Sequence, residues 1–218
     1  MQEIPESDMN SQTQGADSLT PKDVIKESPA ALFFDFLEIL VFSVCAAFLL
    51  FTLFFRLCRV DGRSMQHTLQ DGQTLIVSNL AEIEQGDIVI FHQTNDTNAN
   101  YNKALVKRVI AMEGQTVRID YGAGEVYVDG DLIEEPYIAL LNSAGTQEIG
   151  EWTLTPSAPG YNRETGIFEV TVPDGCYFVM GDNRNNSADS RSADIGFVDT
   201  RRVLGKAIIR PRPWTIYD

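Results

Sequence analysis

The chain has 218 residues, of which 17 are Lys or Arg and 31 are Asp or Glu, so its formal net charge is −14 at pH 7. This acidic balance argues against a large electrostatic surface for nucleic acid. Three Cys cannot build a disulfide framework, and neither they nor the two His are spaced as metal ligands. We therefore predict no metal and no other cofactor.

The N-terminal part of the chain predicts a tail followed by a membrane anchor. Residues 1–34 start as polar, acidic sequence without periodicity, typical of a disordered tail. Residues 39–55 then contain no charge, and with their flanks they exceed the roughly 30 Å of a bilayer core. Because aromatic and aliphatic groups occupy every face and a long tail precedes them, a buried core helix and a cleaved signal both fit poorly. We predict one transmembrane helix over residues 35–57.

The remainder, residues 58–218, predicts a mostly β domain. Short apolar or alternating runs are separated by turn signals, and helical periodicity is nearly absent. Asp129-Gly130 is typical of a tight hairpin turn. Residues 140–166 are rich in Gly, Ser, Thr, Pro and Asn and predict an irregular insertion, with wider limits at about 131–172. The predicted strands cover residues 74–77, 87–91, 104–110, 115–119, 125–128, 167–172, 177–180 and 206–209.

Lys107 is the most informative titratable residue of this domain. Alternation along its predicted strand places it on one face with Leu105 and Val109. A Lys in that position lies either at an exposed edge, which the pattern alone favours, or in partly desolvated surroundings. Desolvation would lower its pKa and leave a neutral amine that can accept a proton from a hydroxyl.

Two other segments offer polar groups to such a base. Ser64 follows Gly62 in a turn-like segment, although a Gly-x-Ser triplet alone is weak evidence. Residues 181–191 (GDNRNNSADSR) crowd polar side chains behind an apolar strand, either as a plain surface loop or as a network that keeps a site rigid. The two His, His67 and His92, are predicted to be surface residues in a turn and at a strand end. The candidate network consists of Asp182, Arg184, Asp189 and Arg191.

Together these segments resemble the type I signal peptidases, the membrane-anchored Ser/Lys endopeptidases of bacteria. Residues 64–69 (SMQHTL) are similar to the nucleophile segment of that family, residues 107–110 (KRVI) to its general-base strand, and residues 181–191 to its long signature. His67 stands where the family usually has Pro, but no departure removes a catalytic group. The resemblance implies a signal-peptidase-like fold of antiparallel sheets behind a single transmembrane helix, and removal of signal peptides from exported precursor proteins.

The resemblance also implies residue roles. Ser64 would be the nucleophile and Lys107 its general base, while Ser187 would hydrogen-bond to the Lys amine and orient it. The backbone N–H of Ser64 would hold the oxyanion, and Gly62 stands where many Gram-negative members carry a hydroxyl. Arg108 with Asp182, and Arg191 with Asp189, would be ion pairs that fix the site. The supporting residues implied are Gly62, Arg108, Asp182, Arg184, Ser187, Asp189 and Arg191, and those implied to contact substrate are Met65 and Leu105.

The implied location is the cell membrane, with a cytoplasmic tail, an extracytoplasmic β domain and a monomeric chain. Its partners would be the lipid bilayer and the precursor proteins. Charge alone weakly favours the opposite orientation, because Arg56, Arg59 and Arg63 follow the helix. Three alternatives stay open from the sequence: a Ser/Lys autoprotease of the kind found in SOS-response repressors, a hydrolase that uses His67, and a non-catalytic anchored β module.

Overall fold

The computed structural model describes residues 28–94, 103–141, 150–211 and 214–217. The chain divides into two compact units, residues 1–46 and 47–218. Within the described residues, one α-helix, α1, covers Pro29–Phe54, and with 26 residues it is long and apolar enough to cross a membrane. The helix starts before residue 35, the predicted first residue of the span. It also ends before the predicted last residue, 57, because Phe55 already belongs to a strand. The predicted tail up to residue 27 lies outside the described residues.

Three hydroxyl groups at and within α1 form local hydrogen bonds. Ser28 precedes the helix and accepts a hydrogen bond at its Oγ from the Ala31 N–H at 3.2 Å, the usual action of an N-cap. The hydroxyls of Ser43 and Thr52 donate to carbonyls three residues earlier, at 2.8 and 2.9 Å. All side chains from 28 to 53 are exposed in the structure, as expected of a helix whose apolar surface is suited to lipid.

The described part of the second unit, residues 47–218, contains two antiparallel sheets; we call it the β unit. The first has the strand order β1-β2-β12-β3-β4-β10-β11, with β13 paired to β12, and the second has the order β7-β6-β5-β9-β8. The strands are β1 Phe55–Arg59, β2 Thr74–Ser78, β3 Ile88–Gln93, β4 Lys103–Ala111, β5 Thr116–Asp120, β6 Glu125–Val128, β7 Asp131–Leu132, β8 Tyr161–Asn162, β9 Ile167–Thr171, β10 Cys176–Met180, β11 Val198–Asp199, β12 Val203–Pro211 and β13 Trp214–Ile216.

Every predicted strand is confirmed within a few residues, and so is the mostly β fold class. The hairpin between β6 and β7 is also confirmed: Val128 pairs with Asp131, and Asp129 and Gly130 have φ values of 54° and 93°. Both turn residues thus adopt the left-handed conformation that this two-residue turn requires. The wider limit of the irregular insertion is wrong, because β9 lies inside it and pairs along its whole length with β5.

Two groups of buried side chains position the site. One lies beneath the chain between β1 and β2 and includes Met65 and Leu69, which are 1% and 0% exposed. The other joins the two sheets, since Phe178 of β10 packs against Phe168 of β9 with ring centroids 5.8 Å apart. Burying such a side chain contributes about 1.5–3 kcal/mol to the stability of the fold, so this packing stabilises the positions of β4 and β10.

Candidate active site

The structure brings Ser64 and Lys107 together. The Lys107 Nζ lies 2.7 Å from the Ser64 Oγ and 3.0 Å from the Val106 carbonyl oxygen. Lys107 is only 3% exposed, because β4 is an interior strand between β3 and β10. The exposed-edge position that alternation favoured is therefore wrong, and the desolvated one is correct. Burial lowers the pKa of Lys107 to about 8, so a substantial neutral fraction exists near neutrality.

Two hydrogen bonds fix the chain just before Ser64. Val60 donates its N–H to the Gln73 carbonyl at 2.8 Å, and Gly62 donates to the Asp71 carboxylate at 2.9 Å. Gly62 has a φ of 100°, a conformation that favours glycine. The bond from the Gly62 N–H to Asp71 therefore fixes the turn that precedes Ser64.

Asn183 clamps the nucleophile segment from the opposite side. Its backbone N–H donates to the Ser64 carbonyl at 2.9 Å, and its side-chain Nδ2 donates to the Arg63 carbonyl at 3.3 Å. Sequence reasoning missed this residue, although it lies inside the 181–191 signature. The sequence did contain a signal for this role, because an Asn among charged residues readily hydrogen-bonds to backbone groups through its side-chain amide.

The predicted pair of Arg108 and Asp182 is confirmed and is bidentate. The guanidinium Nε and Nη2 lie 2.9 and 2.7 Å from the two carboxylate oxygens. Asp182 also accepts the Thr68 hydroxyl at 2.5 Å, and Arg108 donates to the Gly86 carbonyl at 2.7 Å. One buried ion pair therefore joins the base strand, the signature segment and the nucleophile segment.

The predicted pair of Asp189 and Arg191 is confirmed too. The Arg191 Nε and Nη2 each lie 2.8 Å from an Asp189 oxygen, and Gly181 donates its N–H to the same carboxylate at 3.0 Å. Burial alone would raise the pKa of Asp189, but the Arg191 charge and these hydrogen bonds lower it overall. The pair is thus fully ionised in the interior, where it ties both ends of the signature segment together.

Ser187 lies in the site without the predicted hydrogen bond. It is 7% exposed, and its Oγ has no hydrogen-bond partner of ordinary geometry, although it is close enough to Asp189 to help lower the pKa of that carboxyl. A Cβ placed on Gly181 would lie 2.3 Å from this Oγ and 2.5 Å from the Ser64 carbonyl oxygen. The Ser187 hydroxyl thus borders the nucleophile segment, but it does not contact the Lys107 amine in this structure.

The two residues predicted to contact substrate differ in their surroundings. Met65 packs into the core beneath the nucleophile segment, so its side chain is closed to a substrate in this structure. Leu105 is half-buried on β4, two residues before Lys107, and packs with Val89 and Phe91.

Arg184 has a partner that the sequence did not reveal. Its Nη1 lies 2.7 Å from a Glu135 oxygen, and its Nη2 bonds to the other oxygen. Glu135 lies between β7 and β8, far from the signature segment in sequence. Both His are exposed, and His92 lies next to the last residue of β3, near the strand end that was predicted. Among the described residues, no group of three or more His, Cys, Asp or Glu is placed to hold a metal ion.

Comparison with known proteins points to one family. The family model described as signal peptidase, peptidase S26, matches residues 33–211. A signal peptidase I of Bacillus licheniformis is 34% identical over 79% of this chain and 84% of its own length. A signal peptidase I of Bacillus amyloliquefaciens is 37% identical over 76% of this chain and 78% of its own length. A solved signal peptidase I of Enterococcus faecalis is 29% identical and covers 58% of this chain and 97% of its own, with a TM-score of 0.41.

The family model covers most of the chain, from residue 33 within α1 to residue 211, and so includes β4 and the signature segment. With the long apolar helix, the likeness indicates a single-pass membrane anchor. The matching family model and the relatives' shared description identify the activity as that of a serine endopeptidase acting on signal peptides. The chain belongs to the signal peptidase family, peptidase S26, as a signal peptidase I.

Proposed function

We propose that Ser64 is the nucleophile and Lys107 the general base with which this signal peptidase cleaves precursor proteins. The observation that carries the proposal is the 2.7 Å contact between the Ser64 Oγ and a buried Lys107 amine. The neutral amine accepts the hydroxyl proton as the Ser64 oxygen attacks the carbonyl carbon of the scissile peptide bond. The resulting ammonium then donates that proton to the departing amine, and water hydrolyses the acyl ester on Ser64.

Ser187 is proposed to orient the Lys107 amine during this cycle. Its hydroxyl is buried and unpaired, and an unsatisfied buried hydroxyl costs free energy. A hydrogen bond to the amine formed as the reaction proceeds would remove that cost. The substrate is proposed to lie extended beside the nucleophile segment and β4, where Leu105 borders the dyad.

The test of the dyad is cleavage of a precursor with an Ala-x-Ala site by the purified full chain in detergent. We expect Ser64→Ala and Lys107→Ala each to abolish cleavage, because one removes the nucleophile and the other its base. Lys103→Ala is the matched control, since Lys103 lies on the same face of β4 but is half-exposed. Excess EDTA should leave the wild-type rate unchanged. Cleavage by either dyad variant at a rate near that of the wild type would refute the proposal.

The family membership favours this activity over the regulatory autoprotease and the non-catalytic module. The exposed position of His67 and the contact between Lys107 and Ser64 speak against a hydrolase based on His67. His67→Gln should accordingly retain full activity.

The β unit is proposed to lie outside the cytoplasmic membrane, because signal peptides reach their cleavage site on that side. The chain is proposed to act as a monomer. Added protease should digest the β unit on intact protoplasts, and protection of the β unit until lysis would overturn this orientation. Cross-linking in the membrane that captures mainly dimers would overturn the monomer.

A further inference from the structure

We infer that the insertion between β7 and β9 holds the signature segment in place, with Glu135 as a positioning residue for the Ser64 nucleophile. This inference rests on the proposed Ser64–Lys107 dyad. The sequence pattern indicated no role for this insertion beyond that of an irregular connection. In the structure, two parts of the insertion bind residues 181–191. We call residues 134–141 the first arm and residues 150–158 the second arm.

The first arm is bound to the signature segment through its backbone. Ala139 donates its N–H to the Asp182 carbonyl at 2.8 Å and accepts the Arg184 N–H at 3.0 Å. These bonds form a parallel bridge between Ala139 and Asn183. Asn183 is the residue whose N–H holds the Ser64 carbonyl at 2.9 Å. The first arm is therefore one residue removed from the nucleophile segment.

Glu135 locks the first arm by its charge. Its side chain is 7% exposed and that of Arg184 is 0% exposed, and the two form a bidentate pair. The Tyr137 hydroxyl donates to the same carboxylate at 3.0 Å. The Arg108 guanidinium lies 3.8 Å from the centre of the Tyr137 ring. Glu135 and Tyr137 thus link both arginines that flank Asn183 and Lys107.

The second arm binds the other half of the signature segment. Asn185 accepts the Thr153 N–H at 2.7 Å and donates its amide to the Glu151 carbonyl at 2.7 Å. The Arg191 carbonyl accepts two backbone N–H groups of the arm, both at 3.0 Å. The Trp152 ring centre lies 5.2 Å from the Arg184 guanidinium and 5.5 Å from that of Arg191.

Removing the Glu135 charge leaves Arg184 buried without a counter-charge, which is strongly unfavourable. The segment must then shift to hydrate Arg184, and the bond from Asn183 to Ser64 shifts with it. A misplaced nucleophile lowers transition-state stabilisation more than substrate binding, because its alignment matters mainly at the moment of attack. The expected signature is a fall in kcat with little change in KM.

The experiment compares Glu135→Gln with Glu134→Gln, the adjacent and exposed carboxylate. Full-length variants in detergent are assayed on the Ala-x-Ala precursor well below their measured Tm. We expect kcat of Glu135→Gln to fall about tenfold or more with KM within about twofold, and Glu134→Gln to match the wild type. Equal kcat values for the two variants, or a loss confined to Tm, would overturn the inference.

Tyr137→Phe keeps the test decisive if Glu135→Gln does not fold. It removes only the hydroxyl bond to Glu135 and keeps the aromatic ring against Arg108. We expect kcat of Tyr137→Phe to fall about threefold or more. A smaller fall would overturn the positioning role. Ser64→Ala in the same assay separates the two proposals. Activity in Ser64→Ala refutes the dyad, whereas an inactive Ser64→Ala with a normal kcat in the Glu135 and Tyr137 variants refutes only the positioning role.

Discussion

Gly181→Ala is the substitution that tests the packing of the site most directly. The added Cβ would lie 2.3 Å from the Ser187 Oγ and 2.5 Å from the Ser64 carbonyl oxygen, whereas ordinary contact begins near 3.4 Å. Gly181 has no positive φ, so the effect is steric and not conformational. The two oxygens must retreat by about 1 Å. Such overpacking costs about 1–3 kcal/mol of stability, and a 1 Å displacement of a nucleophile lowers the rate by about 10²-fold.

The assay is kcat/KM for precursor cleavage, paired with thermal unfolding. Gly122→Ala is the matched control, because Gly122 also lacks a positive φ and its new Cβ would meet only the flexible Asp120 carboxylate, at 3.3 Å. We expect Gly181→Ala to lose about 10²-fold in kcat/KM and Gly122→Ala to lose less than about threefold. Activity of Gly181→Ala within about twofold of the wild type would refute the close approach on which the reasoning depends.

Two further predictions concern charge. Because the neutral amine of Lys107 is the base, kcat/KM should rise about tenfold per pH unit up to pH 8 and then level off; a profile without a group titrating between about 7 and 9 would contradict this. Asp189→Asn leaves Arg191 buried without a counter-charge and should lower the free energy of unfolding by about 3–5 kcal/mol in urea titrations. Since Asp189 raises the pKa of Lys107, the same variant should move the pH inflection downward, and an upward shift would contradict that.

The strands were predictable from the sequence because alternation and turn residues are local signals. The hairpin at Asp129-Gly130 follows from the tolerance of these residues for positive φ, and the structure confirms it. The strands that were missed are β1, β8, β11 and β13, most of them two or three residues long. β1 was hidden because its first residues continue the apolar run of α1, where composition cannot distinguish a strand from a helix.

The site was predictable in its residue types but not in its contacts. Ser64 and Lys107 were identified by the segments that surround them, whereas the burial of Lys107 depends on β10 pairing beside β4. Alternation describes the faces of one strand and contains no information about its neighbours. The pair of Glu135 and Arg184 and the bond from Asn183 to Ser64 join distant parts of the chain, so no local pattern could indicate them.

The signature segment places two carboxylates near Lys107, where their charge favours the protonated amine although the base must be neutral. Asp182 and Asp189 both raise the pKa of Lys107. Burial lowers this pKa by a larger amount, so the result is about 8. Each carboxylate is held by its own arginine in a bidentate pair, and the Arg191 charge itself lowers the pKa of Lys107. Arg191 therefore has a second effect besides bracing the segment, because its charge offsets part of the effect of the two acids and so favours the neutral amine of Lys107.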